Sequence, residues 1–104
     1  MDGRYAATGG GCMSHRAVGW AYRMRLPITP KFVLVTLADL ADEADSCWPS
    51  QKWIAEQVGA SPRTVRDALA ALEGGGYIVR EPRPIVGGGR RSDRYVLQLD
   101  RDPD

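Results

Sequence analysis

Residues 50–72 read SQKWIAEQVGASPRTVRDALAAL and predict a helix, a tight turn and a second helix. Ser50 is placed to cap the first helix, because a serine hydroxyl accepts a hydrogen bond from an amide of the first turn. Gly59 is expected to end that helix, since glycine adopts positive φ without a steric cost. Ser61 and Pro62 repeat the start signal, and the missing N–H of proline is harmless at the first helical position. These 23 residues therefore specify a pair of short helices.

The second of these helices is predicted to have two different faces. One face is aliphatic, with residues that recur at helical spacing: Val65, Ala68, Leu69 and Leu72. At about 100° per residue, the opposite side carries Arg63, Asp67 and Ala70, flanked by Thr64 and Arg66. Such a helix buries its aliphatic face and presents arginine, threonine and aspartate outward. That arrangement suits the major groove of DNA, although a solvated surface helix has the same pattern.

Charge is unevenly distributed along this chain of 104 residues, whose length predicts one domain with a modest core. The formal net charge is only +1, far from the strong basic excess of many nucleic-acid binders. However, residues 61–97 hold seven arginines and four acids, whereas residues 31–45 hold one basic residue and four acids. A nearly neutral chain can therefore still present one basic face.

The sequence offers no constellation for metal binding or catalysis. Cys12 and Cys47 lack metal-ligand spacing, and His15 is the only histidine, so a structural zinc site is not expected. No histidine, cysteine or carboxylate cluster suggests general acid–base chemistry. No apolar run approaches the length of a membrane span, and no signal segment is visible. We expect a cytoplasmic protein with reduced thiols that is not an enzyme and takes no cofactor or small-molecule ligand.

The N-terminal half predicts two further elements. Residues 1–13 are polar and glycine-rich and are expected to be disordered, with Met13 an alternative start to Met1. Residues 14–26 form a short helix or an extended arm that places Val18, Trp20 and Met24 on the core. Thr29 and Pro30 are expected to cap and open an apolar helix. The acids that follow it, Asp42, Glu43 and Asp45, imply either that this helix ends early or that they repel phosphate.

The C-terminal part predicts a hairpin. The glycines at 74–76 stop the second helix of the pair, and residues 77–80 and 95–99 have strand character, with Tyr95, Leu97 and Leu99 on one face. A long tip between them carries glycines 87–89, followed by Arg90, Arg91 and Arg94, but lacks the Lys-Ser/Thr of a phosphate-binding P-loop. Residues 45–49 are expected to form a connecting loop, and residues 100–104 a frayed tail.

A resemblance to a known family is carried by four stretches and the end of the hairpin: RAVGWA (16–21), KFVLVTLADLA (31–41), CWPSQKWIAE (47–56), SPRTVRDALAAL (61–72) and RSDRY (91–95). Together they resemble the small winged helix-turn-helix DNA-binding domains of bacteriophage, plasmid and prophage regulators and replication proteins. The resemblance covers residues 14–99. It implies an α+β, mainly helical fold, in which a three-helix core carries a two-stranded β-hairpin wing.

The residues and the resemblance together predict a DNA-binding surface. Arg63 and Arg66 are expected to contact guanine edges, because a guanidinium group matches O6 and N7 with two hydrogen bonds. Asp67 either accepts from a cytosine amine or pairs with Arg63 one turn earlier, and we favour the pair. The remaining contacts are expected to go to phosphates or to an adjacent minor groove: Gln51, Lys52, Ser61 and Thr64 near the helix N-termini, and Arg90, Arg91 and Arg94 on the wing.

Several functions fit such a surface. We expect a sequence-specific double-stranded DNA-binding protein that regulates transcription, of bacterial or mobile-element origin. The alternatives are an accessory factor in replication, partition or excision, and a winged helix used only for protein–protein contact, which the low net charge favours. We also expect a homodimer, because one small domain offers limited contact area. Its surface would be formed by residues 14–26 or by Trp20 and Trp53.

Overall fold

The computed structural model describes residues 12–82 and 93–101, with side chains from Arg16 onward. Within these residues it has four helices, α1 (Cys12–Arg23), α2 (Ile28–Leu40), α3 (Gln51–Val58) and α4 (Pro62–Gly74). It also has three short strands, β1 (Ser46–Cys47), β2 (Ile78–Glu81) and β3 (Arg94–Leu97), in an antiparallel sheet of order β1-β3-β2. The fold is α+β and mainly helical, consistent with a winged helix-turn-helix, as the sequence predicted.

The turn between α3 and α4 has the geometry that its residues predicted. The hydroxyl of Ser50 accepts a hydrogen bond from the amide of Trp53 at 3.0 Å, and that of Ser61 accepts one from the amide of Thr64 at 3.1 Å. Gly59 lies between the helices at φ 81°, in the left-handed region. Both caps, and therefore the start of each helix, are confirmed.

The predicted start of α2 was wrong by two residues. The helix begins at Ile28, with Pro27 at the N-cap position and no side-chain cap, so that Thr29 and Pro30 lie inside the first turn. Proline is tolerated there because the first four amides of a helix have no partner within it. Helix α2 ends at Leu40, before Asp42. Of the two explanations offered for the acids at 42, 43 and 45, an early end of the helix is therefore confirmed.

Asp42 instead organises the loop that follows α2. Its carboxylate Oδ1 accepts hydrogen bonds from the amides of Ala44 at 2.8 Å and Ser46 at 3.1 Å. The next acid, Asp45, has a φ of 57° and lies 3.8 Å from the guanidinium of Arg16 on α1. At least two of the acids in this stretch therefore support the loop that leads into β1.

Strand β1 was not predicted, because residues 45–49 were expected to form only a connection. Ser46 pairs with Val96 and Cys47 pairs with Tyr95, so that β1 extends the hairpin sheet by one strand. The predicted strands 77–80 and 95–99 appear as Ile78–Glu81 and Arg94–Leu97. Tyr95 and Leu97 share a buried face of β3, as expected, whereas Leu99 lies beyond the strand.

Helix α2 is the central element of the core. Val33, Leu34 and Leu37 on this helix are completely buried. The surrounding elements contribute further buried side chains: Trp20 and Met24 from the α1 segment, Ile54 from α3, Val65, Leu69 and Leu72 from α4, and Ile78, Tyr95 and Leu97 from the sheet. Since α4 supplies its aliphatic side to this core, its orientation on the molecule is fixed by packing.

The C-terminal end of the described chain is anchored rather than loose. Arg101 accepts a hydrogen bond from Trp20 Nε1 through its carbonyl oxygen at 3.0 Å. Its guanidinium donates to the carbonyl oxygen of Gly75 at 2.9 Å and lies 4.5 Å from the ring centroid of Tyr77. The folded part of the chain therefore extends at least to Arg101, within the tail expected to be frayed. Of the residues 1–13 that were predicted to be disordered, residues 1–11 lie outside the described residues, whereas Cys12 and Met13 begin α1.

No described helix is both long and apolar enough to cross a membrane. The described histidine, cysteine, aspartate and glutamate side chains also form no cluster that could hold a metal ion.

Candidate nucleic-acid interface

Helix α4 exposes the polar residues that the sequence singled out. Arg63, Thr64, Arg66 and Asp67 are all exposed, whereas Val65 between them is completely buried. The buried face continues along the helix with Ala68, Leu69 and Leu72. Because the aliphatic side is held by the core, the two arginines, the threonine and the aspartate project from one accessible surface, which we call the α4 surface.

The arginines of the α4 surface keep their charges available. Neither Arg63 nor Arg66 forms an ion pair with any residue that the structure describes. The favoured pairing of Asp67 with Arg63 was wrong: both side chains are described, and their charged groups do not meet within ion-pair distance. On an exposed helix such a pair stabilises by only about 0.2–0.5 kcal/mol, so solvation of both groups competes easily with it.

Four residues at the N-terminal ends of α3 and α4 were expected to contact phosphates, and they differ in exposure and in hydrogen bonding. Lys52 is exposed and has no ion pair among the described residues. The Ser61 hydroxyl caps α4 and also donates to Thr64 Oγ1 at 3.0 Å, so both hydroxyls are oriented at the helix end. Gln51 is half-buried, and its side chain hydrogen-bonds to Tyr95 of β3. Lys52 is therefore the most freely presented of the four.

Tyr95 connects the helix pair to the sheet. Burial raises the pKa of its hydroxyl above 10.0, an effect that the charge of Arg80 and the hydrogen bond with Gln51 oppose. The guanidinium of Arg80 lies 5.9 Å from the centre of the Tyr95 ring. The phenol therefore stays protonated at neutral pH and holds the start of α3 against β3. Sequence reasoning placed Gln51 near DNA and missed this link, because the two residues are 44 positions apart in the chain.

The arginines at the base of the wing are neutralised by neighbouring acids. Arg80 lies 3.4 Å from Asp93 and 3.8 Å from Glu73. Arg94 lies 3.9 Å from Glu81 and donates a hydrogen bond to Ser46 Oγ at 2.9 Å. A DNA contact by Arg94 would have to compete with these partners.

The other two wing arginines, Arg90 and Arg91, lie outside the described residues. Their expected contacts with DNA stay predictions.

The predicted dimer surfaces are only partly available. Trp20 is 4% exposed and belongs to the core, which confirms its predicted place on the core, whereas its alternative assignment to a dimer surface was wrong. Trp53 is half-buried and packs against the core. Large apolar side chains are exposed at Tyr22, within residues 14–26, and at Ile28 and Phe32, which follow that segment. Burial of Trp20 follows from its indole N–H, which reaches the carbonyl of Arg101 and so satisfies its one polar group.

Comparison with known proteins agrees with this geometry. The profile of a family described as a helix-turn-helix domain matches residues 25–78, which span α2, α3 and α4 and just over half of the chain. The chain is also similar to Protein YmfN of Escherichia coli strain K12, with 43% identity over 51 residues. That match covers 49% of this chain but only 11% of YmfN. No solved structure matches the chain significantly.

Proposed function

The chain belongs to the helix-turn-helix domain family, and from this premise we propose that it binds double-stranded DNA sequence-specifically through the α4 surface. The observation that carries the proposal is the contrast between its arginines. Arg80 and Arg94 at the wing base have acidic partners, whereas Arg63 and Arg66 are exposed and have none among the described residues. Charge left unneutralised on one rigid helix is what a polyanionic partner requires.

Within this proposal the residues have distinct roles. Arg63 and Arg66 contact guanine edges in the major groove, where a guanidinium group donates two hydrogen bonds to O6 and N7. Asp67, which has no arginine partner in the part of the chain that the structure describes, accepts from a cytosine amine. Lys52, with the capped N-terminus of α4 at Ser61 and Thr64, contacts phosphates and sets the register. Gln51 and Arg94 add phosphate contacts where their internal partners permit, and Arg90 and Arg91 extend them to an adjacent minor groove.

Regulation of transcription is the biological role that we propose first, for a protein of bacterial or mobile-element origin. The role is supported by the resemblance to phage, plasmid and prophage regulators, and the bacterial origin by the similarity to an E. coli protein. An accessory role in replication, partition or excision is the alternative with the same DNA chemistry. Selection of bound sequences from a random duplex pool, followed by mapping to the source genome, separates them. Sites at the chain's own promoter support regulation, and sites clustered at an origin or attachment end support the alternative.

Titration of variants against selected and random duplexes over a salt series tests the DNA contact itself. Arg63→Ala and Arg66→Ala should each lose about 1–3 kcal/mol of binding free energy on the selected duplex and discriminate less between sequences. Lys52→Ala should weaken binding to all duplexes alike and lower the salt slope by about one. Arg25→Ala, which removes an exposed arginine outside the helix pair, is the matched control and should bind like the parent. Parental binding by both α4 variants would exclude the proposed docking.

We also propose that the protein binds DNA as a homodimer on a two-fold-related site. Half-sites would then be separated by about 10 base pairs or a multiple of that spacing, because recognition helices must enter successive major grooves on one side of the duplex. Light scattering of the free protein and of the complex gives the stoichiometry. A monomeric mass in both states, with a selected site that lacks dyad symmetry, would contradict it.

A further inference from the structure

A groove between α1 and α2 is lined almost entirely by apolar side chains. Its volume is about 230 Å³, and its walls are formed by Tyr22, Ile28, Lys31, Phe32 and Val35. Ile28 is 83% exposed, Tyr22 70% and Phe32 46%. Three large apolar side chains this exposed and this close together form a patch of the kind that marks an interaction site.

The patch arises because α2 is apolar on more than the side that it gives to the core. Ile28, Phe32 and Val35 follow one another at helical spacing, so they form a second stripe along the helix. The first stripe, with Val33, Leu34 and Leu37, is completely buried in the core. A surface helix ordinarily carries polar residues opposite its buried stripe. The second stripe therefore needs an explanation beyond the fold itself.

The charged residues close in the chain to Tyr22, Ile28 and Phe32 are basic. The Lys31 ammonium lies 5.1 Å from the ring centroid of Tyr22, and Arg23 and Arg25 are exposed nearby in the chain. Residues 16–38 contain no acid at all. None of these three cations forms an ion pair with a residue that the structure describes. The first acid of α2 is Asp39, one turn beyond Val35, so acidic side chains of an occupant would meet positive charge at the Tyr22 and Ile28 end of the groove.

We propose that this groove binds an acidic amphipathic helix of a partner protein. The apolar side of that helix would contact Ile28, Phe32 and Tyr22, and its carboxylates would face Lys31, Arg23 and Arg25. A helix that lays apolar anchors into a groove while charged residues set its orientation is a common mode of peptide recognition.

Charge and shape favour this occupant over two others. A second copy of the chain docked through the same groove would bring two sets of like cations together, which disfavours self-association there. A DNA duplex would satisfy the cations, but its phosphate backbone has no apolar surface to cover Ile28. The inference goes beyond the proposed DNA binding and involves other residues.

Three synthetic amphipathic peptides with identical apolar faces test the proposal. Their polar faces carry glutamate, glutamine or lysine, and binding to the full chain is followed by fluorescence anisotropy. The glutamate peptide should bind tightest and the lysine peptide weakest. Ile28→Ser should weaken the glutamate peptide by about tenfold or more, since truncation of a central anchor costs at least that much. Val79→Ser, which alters another exposed aliphatic residue outside the groove, is the matched control and should bind like the parent.

Reversal of two charges beside the groove is an independent test of the proposed partner. Arg25→Glu combined with Lys31→Glu should move the preference from the glutamate peptide toward the lysine peptide, because the apolar contacts remain while the electrostatic sign changes. Circular dichroism and urea denaturation establish that each variant is folded. Equal binding of the glutamate and lysine peptides, or no binding of the glutamate peptide, would overturn the proposal. Loss of duplex affinity or of dimer mass in Ile28→Ser would also overturn it, since DNA or a second copy would then cover the groove.

Discussion

Gly59 shows how one residue fixes the angle between the two helices of the motif. Its φ of 81° is unfavourable for any residue with a Cβ atom, yet an added Cβ would meet no atom within 4 Å. Gly59→Ala should therefore lower the free energy of unfolding by about 1–2 kcal/mol through backbone strain alone. Gly74→Ala is the matched control, because Gly74 is helical with equal space around it and should be neutral or slightly stabilising. Urea denaturation of both variants measures the difference, and equal stabilities would contradict the strain argument.

Cys47 should have an unreactive thiol. Burial, with a smaller contribution from the charge of Asp42, raises its pKa from 9.0 to about 12. A raised pKa in the folded state means that ionisation of this thiol opposes folding. The contribution of the protonated thiol to the free energy of unfolding is therefore fully present below pH 9. It is lost as the pH rises toward 12. In a Cys12→Ser background, modification of Cys47 by an aromatic disulfide at pH 8 should follow the rate of global unfolding. Rapid modification of the folded protein would contradict its burial.

Single residues also show what sequence reasoning could not decide. Exposure of Arg63 and Arg66 followed from helical spacing, which is a local property. The partners of Arg94, by contrast, depend on where β1 and β2 lie, and Ser46 is 48 positions away in the chain. Trp20 was assigned both to the core and to a possible dimer surface, because a tryptophan in a basic stretch fits either one. Its hydrogen bond to the carbonyl of Arg101 satisfies the indole N–H within the core, and this bond joins residues that are 81 positions apart.

At the scale of elements, the helix pair was predictable because its signals are adjacent in sequence. The caps at Ser50 and Ser61 and the glycine between the helices all act within one turn. Strand β1 carries no such signal, because two residues have no periodicity and their conformation is fixed by pairing with β3. The start of α2 was ambiguous for a different reason. Pro30 is compatible with the first helical position as well as with its actual place later in the first turn, and no side chain caps the helix at Pro27, so local signals do not fix the starting residue.

The cap of α4 allows stability and DNA binding to be separated. Ser61→Ala should cost about 1 kcal/mol of folding free energy, because the amide of Thr64 loses its acceptor. Ser61→Asp restores an acceptor and a charge that the helix N-terminus favours, so stability should recover to the parental value. The same carboxylate would repel a phosphate, and duplex affinity should fall by roughly tenfold. Denaturation and duplex titration of the three proteins measure both effects. Parental duplex affinity of Ser61→Asp would place the end of α4 away from the DNA backbone.

For the whole molecule, the net charge of +1 does not show that the basic residues fall into paired and unpaired groups. Arg16, Arg80 and Arg94 are paired with acids and hold α1, the loop before β1 and the wing base in place. The unpaired cations of the described chain fall in two groups, one on the helix pair and one beside the α1–α2 groove. The first group supports our proposal of DNA binding, and the second supports that of an acidic protein partner. The formal charge is therefore a poor guide to either.

Arg101 links the C-terminal end of the described chain to Trp20 and Gly75, and truncation tests how much this link stabilises the domain. Removal of residues 101–104 deletes the acceptor of Trp20 Nε1 and the guanidinium that bonds to the carbonyl of Gly75. Because one of these bonds is charge-assisted and both are partly buried, the free energy of unfolding should fall by about 2 kcal/mol. Removal of residues 102–104 alone is the matched control and should leave stability unchanged. Tryptophan fluorescence during urea denaturation reports both equilibria. Equal stability of the two truncated chains would mean that the contacts of Arg101 contribute nothing measurable to the stability of the domain.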